Sequence, residues 1–131
     1  MIFVNKNYGS WRCCIDYQLL NKATITNQYM FPRINDLLYQ IKGAKAFCKI
    51  DVRYGYHQLW IREKDIPKMQ FGHYESVVVP FELTNASSLF MSLMNIVFQQ
   101  YLDKFIQVFL DDIMIYSRTS EEYKEDLRQV L

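Results

Sequence analysis

Two short apolar runs separated only by a pair of aspartates constrain the fold of this chain most strongly. The runs cover residues 105–110 and 113–116, and Asp111 and Asp112 stand between them. Runs of this length that are rich in β-branched and aromatic residues are typical of strands, and a polar pair between them is typical of a tight turn. The pattern predicts a β-hairpin with both carboxylates at its tip.

The rest of the chain alternates between strand and helix patterns. Strands are predicted over residues 11–20, over 46–52 and around 77–79, with an undecided segment at 56–61. Helices are predicted from 34 to a stop at Gly43, from Ser87 or Ser88 to Tyr101, and onward from a capping box at Thr119 and Glu122. A chain of 131 residues fits one compact domain, and this mixture of elements indicates the α+β class.

Charge is divided unevenly along the chain, although the net charge is only +1. Residues 1–68 hold 11 basic and 5 acidic side chains, whereas residues 69–131 hold 4 and 9. The low net charge argues against a strongly basic nucleic-acid module. The asymmetry indicates either a basic surface for a polyanion and an acidic cluster for a cation, or two faces that merely attract each other.

The cysteines and the N-terminal segment indicate the cell interior. Cys13, Cys14 and Cys48 are odd in number and lack the spacing of metal ligands, so we expect buried thiols. The first ten residues, MIFVNKNYGS, contain no apolar core of a signal peptide, and no run approaches the length of a membrane span. We expect a chain that is neither secreted nor membrane-spanning.

Three aspartates occupy positions that are costly for a charge. Asp51 ends a hydrophobic strand, and Asp111 and Asp112 are adjacent at the predicted hairpin tip. Poorly solvated carboxylates repel each other unless a cation lies between them. If the two strands are neighbours, the carboxylates converge, and two Mg²⁺ ions held there would suit an in-line phosphoryl transfer. The alternative is that the aspartate pair is simply a polar turn.

Three ordered motifs carry a resemblance to a known family. They are WRCCIDY at 11–17, KIDVRYGYHQL at 49–59 and FLDD at 109–112. With the segments around them, they resemble the fingers and palm of a reverse transcriptase from gypsy-class LTR retrotransposons, over nearly the whole chain.

The resemblance implies a division of the chain between two subdomains. The fingers would comprise residues 1–45 and 62–80, and the palm would comprise 46–61 and 81–131. The palm would be an antiparallel sheet backed by helices. The thumb, ribonuclease H and integrase regions are expected elsewhere in the Pol polyprotein of the parent element.

The resemblance also implies an activity, which is RNA-directed DNA polymerisation. Asp51, Asp111 and Asp112 match the family residues that hold two Mg²⁺ ions, for which Mn²⁺ can substitute. The expected partners are an RNA or DNA template with its primer and deoxynucleoside triphosphates, and no membrane. The expected location is intracellular, in a cytoplasmic particle or the nucleus.

Further residues match nucleotide-binding positions of the family. Phe109 and Leu110 correspond to the aromatic and hydrophobic residues before the aspartate pair, and Tyr56 corresponds to the ring that excludes a 2′-hydroxyl. Arg12 corresponds to a residue that grips the triphosphate, since a guanidinium suits phosphate oxygens, and Lys6 would assist by charge. Five more basic residues could attract template phosphates or simply be solvated: Lys22, Arg33, Lys42, Lys45 and Lys49.

Several departures from the family pattern favour a different hypothesis, that this copy is an inactive relic or a domesticated nucleic-acid-binding remnant. Glu82 replaces a glycine beside the expected nucleotide site, which would bring bulk and negative charge there. The other departures are Gln18 for arginine, Ser87 for proline, Tyr54 for serine and a shortened 67–72 loop. A third hypothesis, a primer-independent nucleotidyl cyclase, is disfavoured by the WRCCIDY motif.

Overall fold

The computed structural model describes residues 2–7, 9–52 and 55–131. The chain divides into two compact units. Unit 1 comprises Met1–Asn27 and Tyr54–Ser87, and unit 2 comprises Gln28–Arg53 and Ser88–Leu131. The boundaries expected for fingers and palm run differently along the chain, and that assignment stays a prediction.

Unit 1 contains a two-stranded antiparallel sheet. Strand β1 (Ile2–Asn5), which the sequence analysis does not predict, pairs along its whole length with β2 (Trp11–Cys14). The turn between them is closed by a hydrogen bond of 2.8 Å from the Lys6 N–H to the Ser10 carbonyl. Gly9 has a φ of +75°, which a residue without Cβ adopts at little cost.

The predicted strand over 11–20 is wrong in its second half. The strand ends at Cys14, and helix α1 (Gln18–Ala23) follows. The Asp16 carboxylate accepts a hydrogen bond of 2.9 Å from the Gln18 N–H, which turns the chain into the helix. The side chain of Tyr17 is buried, so its apolar signal reflects the core of the unit rather than a continuing strand.

The predicted buried strand around 77–79 is also largely wrong. Only an isolated bridge forms, between Trp60 and Val78, flanked by hydrogen bonds of 2.9 Å from Ile61 N–H to the Val77 carbonyl and 2.8 Å from Val79 N–H to the Leu59 carbonyl. The β-branched run ends directly at a proline, which has no N–H to extend the pairing. The run therefore contributes only one short bridged segment to unit 1.

Two 3₁₀ segments complete unit 1, at Gly55–Gln58 and Glu63–Met69. The second leads into a tight turn in which Phe71 and Tyr74 exchange backbone hydrogen bonds and Gly72 has a φ of +60°. The 67–72 segment, which the resemblance implies is shortened, thus comprises the end of a 3₁₀ segment and the start of a hydrogen-bonded turn. The departure at Tyr54 lies outside the described residues.

Unit 2 is built on a three-stranded antiparallel sheet. Its strands are β3 (Ala46–Asp51), β4 (Ile106–Phe109) and β5 (Asp112–Ser117), and β5 lies in the centre. The predicted strand at 46–52 and the predicted hairpin are both confirmed. The α+β class with antiparallel sheets is confirmed as well.

The core of unit 2 lies on one face of this sheet. Ile106 and Ile115, directly opposed on β4 and β5, are both 0% exposed, and Val108 opposes Ile113 one step further along. On β3, half-buried side chains alternate with exposed ones, so this strand turns Lys49 and Asp51 toward the opposite face.

The helices follow the sequence patterns closely, with one correction. Helix α2 (Ile34–Gln40) forms as predicted, and Gly43 just after it has a φ of +88°. Helix α3 (Ala86–Val97) begins before the two serines that were the predicted N-caps, and Ser88 is buried within its first turn. The capping prediction is therefore wrong for α3.

Helix α4 (Ser120–Val130) shows the predicted capping box. The Thr119 hydroxyl accepts from the Glu122 N–H, and the Glu122 carboxylate accepts from the Thr119 N–H, both at 3.2 Å. The helix packs on β5 and β3, and Asp126 accepts a hydrogen bond of 2.7 Å from the buried Ser117 hydroxyl. Local capping and one buried polar contact thus fix α4 on the core.

Candidate active site

The three candidate carboxylates all belong to unit 2, where the pairing of β3 with β5 brings them to one end of the sheet. Asp51 and Asp112 form the last pair of these strands, and Phe109 pairs with Asp112 from β4. Directly opposed residues of antiparallel strands project to the same face. Asp111 precedes Asp112 in the turn. The condition set by the sequence, that the strand of Asp51 neighbours the hairpin, is therefore met.

The hairpin turn consists of Leu110 and Asp111. Leu110 has a φ of +56°, a left-handed conformation that costs roughly 1–2 kcal/mol for a residue with a side chain. A positive φ at the first turn residue matches the twist of the two strands. The Leu110 N–H donates to Sδ of Met91 in α3 at 3.0 Å. Helix α3 thus holds the turn that exposes Asp111.

Lys49 brings a positive charge to this acidic end of the sheet. Its Nζ lies 2.9 Å from Oδ1 of Asp112, and the two side chains are 60% and 47% exposed. The hydrogen bond to Asp112 and the charges of Asp112, Asp51 and Asp111 raise the pKa of Lys49 above its ordinary value. From the sequence alone, Lys49 is a candidate only for a phosphate contact or for a solvated side chain. Its position two residues before Asp51, on the same face of a strand, was the available signal.

The chemistry of this donor set fits a divalent cation. Across the described residues, no group of three Asp, Glu, His or Cys side chains is arranged to hold a metal ion. Carboxylate oxygens are nevertheless the ligands that Mg²⁺ prefers, and the Lys49 ammonium stands in as a cation on Asp112. All three carboxylates can therefore bind a metal ion only if their side chains change orientation. The backbone register of the strands stays the same.

An apolar cavity of about 270 Å³ adjoins the same face of the sheet. Its wall includes Asp112 with Phe109 of β4, and α2 forms the other side. The buried Gln107 fixes this helix, since its Nε2 donates to the Leu37 carbonyl at 2.9 Å and to Oε1 of Gln40 at 2.7 Å. A wall of low polarity strengthens the electrostatic interactions of the neighbouring carboxylate.

The candidate nucleotide-binding residues belong to unit 1. Arg12 is exposed on β2, with its guanidinium carbon 5.1 Å from the centroid of the Phe81 ring. Stacking of this kind leaves the in-plane N–H groups of arginine directed outward. Lys6 is exposed just after β1, and Tyr56 is half-buried in the first 3₁₀ segment. A neighbouring ring, Phe81, thus directly supports the orientation of Arg12.

Two asparagines that the sequence analysis misses hold the connection before α3. The Asn21 side chain donates to the Glu82 carbonyl and accepts from the Thr84 N–H, both at 2.9 Å. The Asn85 side chain donates to the Ile25 carbonyl at 2.9 Å and accepts from the Asn27 N–H at 2.8 Å. Single asparagines carry little sequence signal here, because their hydrogen-bond partners lie about sixty residues away.

Glu82 occupies its position without backbone strain. Among the described non-glycine residues, only Asp103 and Leu110 have a positive φ, so the backbone at Glu82 does not require the glycine that the resemblance implies here. Glu82 as a whole is half-buried. Burial, and then the charges of Glu82 and Cys13, raise the pKa of Tyr17 above its ordinary value. The negative charge of Glu82 therefore acts on Tyr17 within unit 1.

Comparison with known sequences gives a consistent result. The sequence model described as Reverse transcriptase (RNA-dependent DNA polymerase) matches residues 4–131. The RNA-directed DNA polymerase homolog of Oenothera berteroana is 42% identical over 125 residues, which cover 92% of this chain and 88% of that protein. The retrovirus-related Pol polyprotein from transposon opus of Drosophila melanogaster is 34% identical over 125 residues, which cover 92% of this chain but only 12% of the polyprotein.

Solved structures share the fold. The foamy viral protease-reverse transcriptase in complex with double-stranded DNA matches with a TM-score of 0.85 at 22% identity, over 98% of this chain and 23% of that one. The same kind of protein in complex with an RNA/DNA hybrid matches with a TM-score of 0.84 at 21% identity, over 98% and 18%. The expected reverse-transcriptase fold is thereby confirmed.

No helix in the described part of the chain combines sufficient length and apolarity to cross a bilayer.

Proposed function

Since this chain belongs to the reverse transcriptase (RNA-dependent DNA polymerase) family, we propose that it carries the nucleotidyl-transfer site of a gypsy-class LTR retrotransposon. Relatives among transposon Pol polyproteins of Drosophila melanogaster and Schizosaccharomyces pombe support the retroelement origin. The ordered motifs at 11–17, 49–59 and 109–112 support the class. The reaction would join a deoxynucleoside triphosphate to the 3′-hydroxyl of a primer.

One observation carries this proposal. The register of β3 with β5 pairs Asp51 with Asp112, and Asp111 directly precedes Asp112 in the strained turn. A polar hairpin tip alone would not require a third carboxylate opposite it on a neighbouring strand. The arrangement is suited to charge stabilisation at reacting phosphates.

In the proposed mechanism, Asp51, Asp111 and Asp112 would hold two Mg²⁺ ions, or Mn²⁺ in their place. When bound, these ions supply positive charge to the primer 3′-hydroxyl and the nucleotide phosphates. The chain itself fixes the backbone that carries the three carboxylates, through sheet register and through the contact of the Leu110 N–H with Met91. Correct placement of reacting groups before the reaction is a large part of catalysis in such a site.

Residues of unit 1 would bind the nucleotide. The fork of N–H groups on Arg12 is suited to paired hydrogen bonds with phosphate oxygens, and stacking on Phe81 orients it in advance. Lys6 would add charge. The ring of Tyr56 would limit the space beneath the sugar and so select against a 2′-hydroxyl.

The proposed nucleic-acid partner is a template with its primer. The names of two solved relatives state that they were bound to an RNA/DNA hybrid and to double-stranded DNA. The excess of basic residues in the first half of this chain would supply the sequence-independent attraction to phosphates. Binding is therefore expected to weaken steeply as salt is raised.

Primer extension tests the proposal. The purified chain is given a primed RNA template and deoxynucleotides with Mg²⁺ or Mn²⁺, beside Asp111→Asn and the matched surface variant Asp36→Asn. The proposal predicts extension by the wild type and by Asp36→Asn, and its loss in Asp111→Asn. Template binding without extension by any of the three would contradict it.

A nucleic-acid-binding remnant without turnover is the second candidate, and Glu82 favours it. A carboxylate in the connection before α3 adds negative charge where the family has glycine. If this charge obstructs the site, Glu82→Gly strengthens binding of primer and template or of nucleotide. An unchanged or weaker affinity would remove Glu82 as support for this candidate.

A further inference from the structure

Lys49 differs from the other charged pairs of the molecule in what it joins. Of the ion pairs within the described residues, Lys68 with Asp65 and Arg128 with Glu125 lie three residues apart along the chain. Lys49 instead reaches from β3 to β5, to a residue diagonally opposite it in the strand register. A long side chain spans such a diagonal readily.

The partner of Lys49 is one of the candidate metal ligands. Its ammonium lies 2.9 Å from Oδ1 of Asp112 and within electrostatic reach of Asp51 and Asp111. An ammonium and a divalent cation seek the same carboxylate oxygens. They cannot both occupy Oδ1 of Asp112 at hydrogen-bonding and coordination distance.

We propose that Lys49 is an internal counter-ion that offsets part of the negative charge of the three carboxylates before metal binding and competes with the metal for Asp112. The inference rests on the proposed function, since it requires that these carboxylates bind metal. The lysine side chain is 60% exposed, so it can turn into solvent without disturbing the core. Lys49 is thus a positioning residue that sets the metal concentration the site requires.

A purely structural role for the ion pair predicts something different. If Lys49 only ties β3 to β5, its removal would lower the stability of the sheet and leave metal affinity unchanged or weaker. If it competes with metal, its removal frees Asp112 and increases the local negative charge, so that metal binds more tightly. Metal affinity therefore separates the two roles without any measurement of polymerase activity.

The experiment measures Mn²⁺ binding to the full 131-residue chain by calorimetry and by the loss of the free-ion electron paramagnetic resonance signal. Lys49→Met removes the charge and keeps the length of the side chain, whereas Lys49→Arg keeps the charge. Lys45→Met is the matched control, because it removes the same charge from the same side of the chain four residues earlier. That position is about 13 Å further along the strand direction.

Competition predicts that Lys49→Met binds Mn²⁺ roughly two- to five-fold more tightly than the wild type, the factor expected when an exposed ion pair is released. Lys49→Arg should bind no more tightly than the wild type, and Lys45→Met should match it. Equal or weaker binding by Lys49→Met would overturn the inference. An equal gain in Lys45→Met would also overturn it, because the effect would then be one of net charge.

Failure of the proposed function gives a different result. If Asp111→Asn and Asp51→Asn bind Mn²⁺ as the wild type does, the carboxylates are not the metal site, and both proposals are wrong. If these variants lose binding while Lys49→Met is unchanged, the metal site stands and only the role of Lys49 is wrong. Thermal unfolding without metal confirms that each variant is folded, and Lys49→Gln replaces Lys49→Met if the latter is not.

Discussion

The two units of this molecule achieve order in different ways. Unit 2 fixes its residues by a three-stranded sheet whose central pairs, such as Ile106 with Ile115, are entirely buried. Unit 1 has a two-stranded sheet with exposed side chains, among them Phe3 at 56% and Trp11 at 67%, and asparagine side chains tie its loops together. An apolar core fixes register, whereas polar clamps fix only the loops they touch.

This difference matches the proposed division of labour. Residues that must be placed within fractions of an ångström, the three carboxylates, lie on the sheet of unit 2 and on its turn. Residues proposed to grip a nucleotide, Arg12 and Tyr56, lie on a short strand and a 3₁₀ segment of unit 1. Elements of lower local stability are where binding segments are commonly found.

The largest expected difference in stability tests the core of unit 2. Ile115→Ala should lower the free energy of unfolding by about 2–5 kcal/mol, because the cavity it leaves cannot be filled by solvent. Phe3→Ala on the exposed β1 should cost less than about 1 kcal/mol. Chemical denaturation of both variants measures this. Equal losses would show that the Phe3 side chain contributes as much to stability as the Ile115 side chain.

The side-chain hydrogen bonds of Asn85, called here the Asn85 clamp, should have the next largest effect on stability. Asn85→Ala removes two hydrogen bonds and should lower the free energy of unfolding by about 1–3 kcal/mol. The control is Asn27→Ala, which keeps the backbone N–H that donates to Asn85. The clamp would be shown to be unimportant if the two variants unfold at the same denaturant concentration.

The strained turn offers a smaller test within unit 2. Leu110→Val places a β-branched residue at a φ of +56° and should be less stable than Leu110→Gly by about 1–2 kcal/mol. The two variants are compared with each other by thermal unfolding, since both lose part of the leucine side chain. A more stable valine variant would mean that the turn relaxes to a different conformation in solution.

The smallest expected effect concerns the pKa of Tyr17. Burial raises this pKa first, and the charges of Glu82 and Cys13 raise it further, so Glu82→Gln should lower it toward the ordinary value. The raised pKa stabilises the folded state fully below the unfolded value of about 10, and this contribution is lost as pH rises through the folded pKa. The variant should therefore lose slightly less stability at high pH.

A titration of labelled tyrosines by nuclear magnetic resonance checks this shift. Tyr116 of unit 2 is the internal reference, because burial and Asp103 raise its pKa and Glu82 is not among the causes. Movement of Tyr17 alone would confirm that the Glu82 charge acts within unit 1. If neither or both of the tyrosines respond, the carboxylate acts elsewhere.

The sequence predicts what local patterns determine. The hairpin, α2 with Gly43 and the capping box before α4 were all readable, because each depends on residues within a few positions of one another. The strand at 11–20 was overextended, since the Asp16 side chain turns the chain in a way that apolar periodicity does not reveal. Strand β1 was missed although its β-branched and aromatic residues favour a strand, because it is only four residues long.

The same distinction between local and long-range features applies to the candidate site. The types and order of its carboxylates were evident in the sequence, and the pairing of Asp51 with Asp112 was an explicit condition. The Lys49 ion pair and the Asn85 clamp were not evident, because each depends on partners about sixty residues distant. Side-chain geometry across elements is the part that the sequence alone does not supply.

Incorporation of a single deoxynucleotide by Asp51→Asn tests the central claim most directly, because this residue comes from the strand outside the hairpin. The change should reduce the rate by about 100-fold or more, since a metal ligand contributes several kcal/mol, while the affinity for primer and template is unchanged. The Asp36→Asn control should react as the wild type does. Incorporation by Asp51→Asn at the wild-type rate would contradict the claim that the β3 and β5 carboxylates form one catalytic centre.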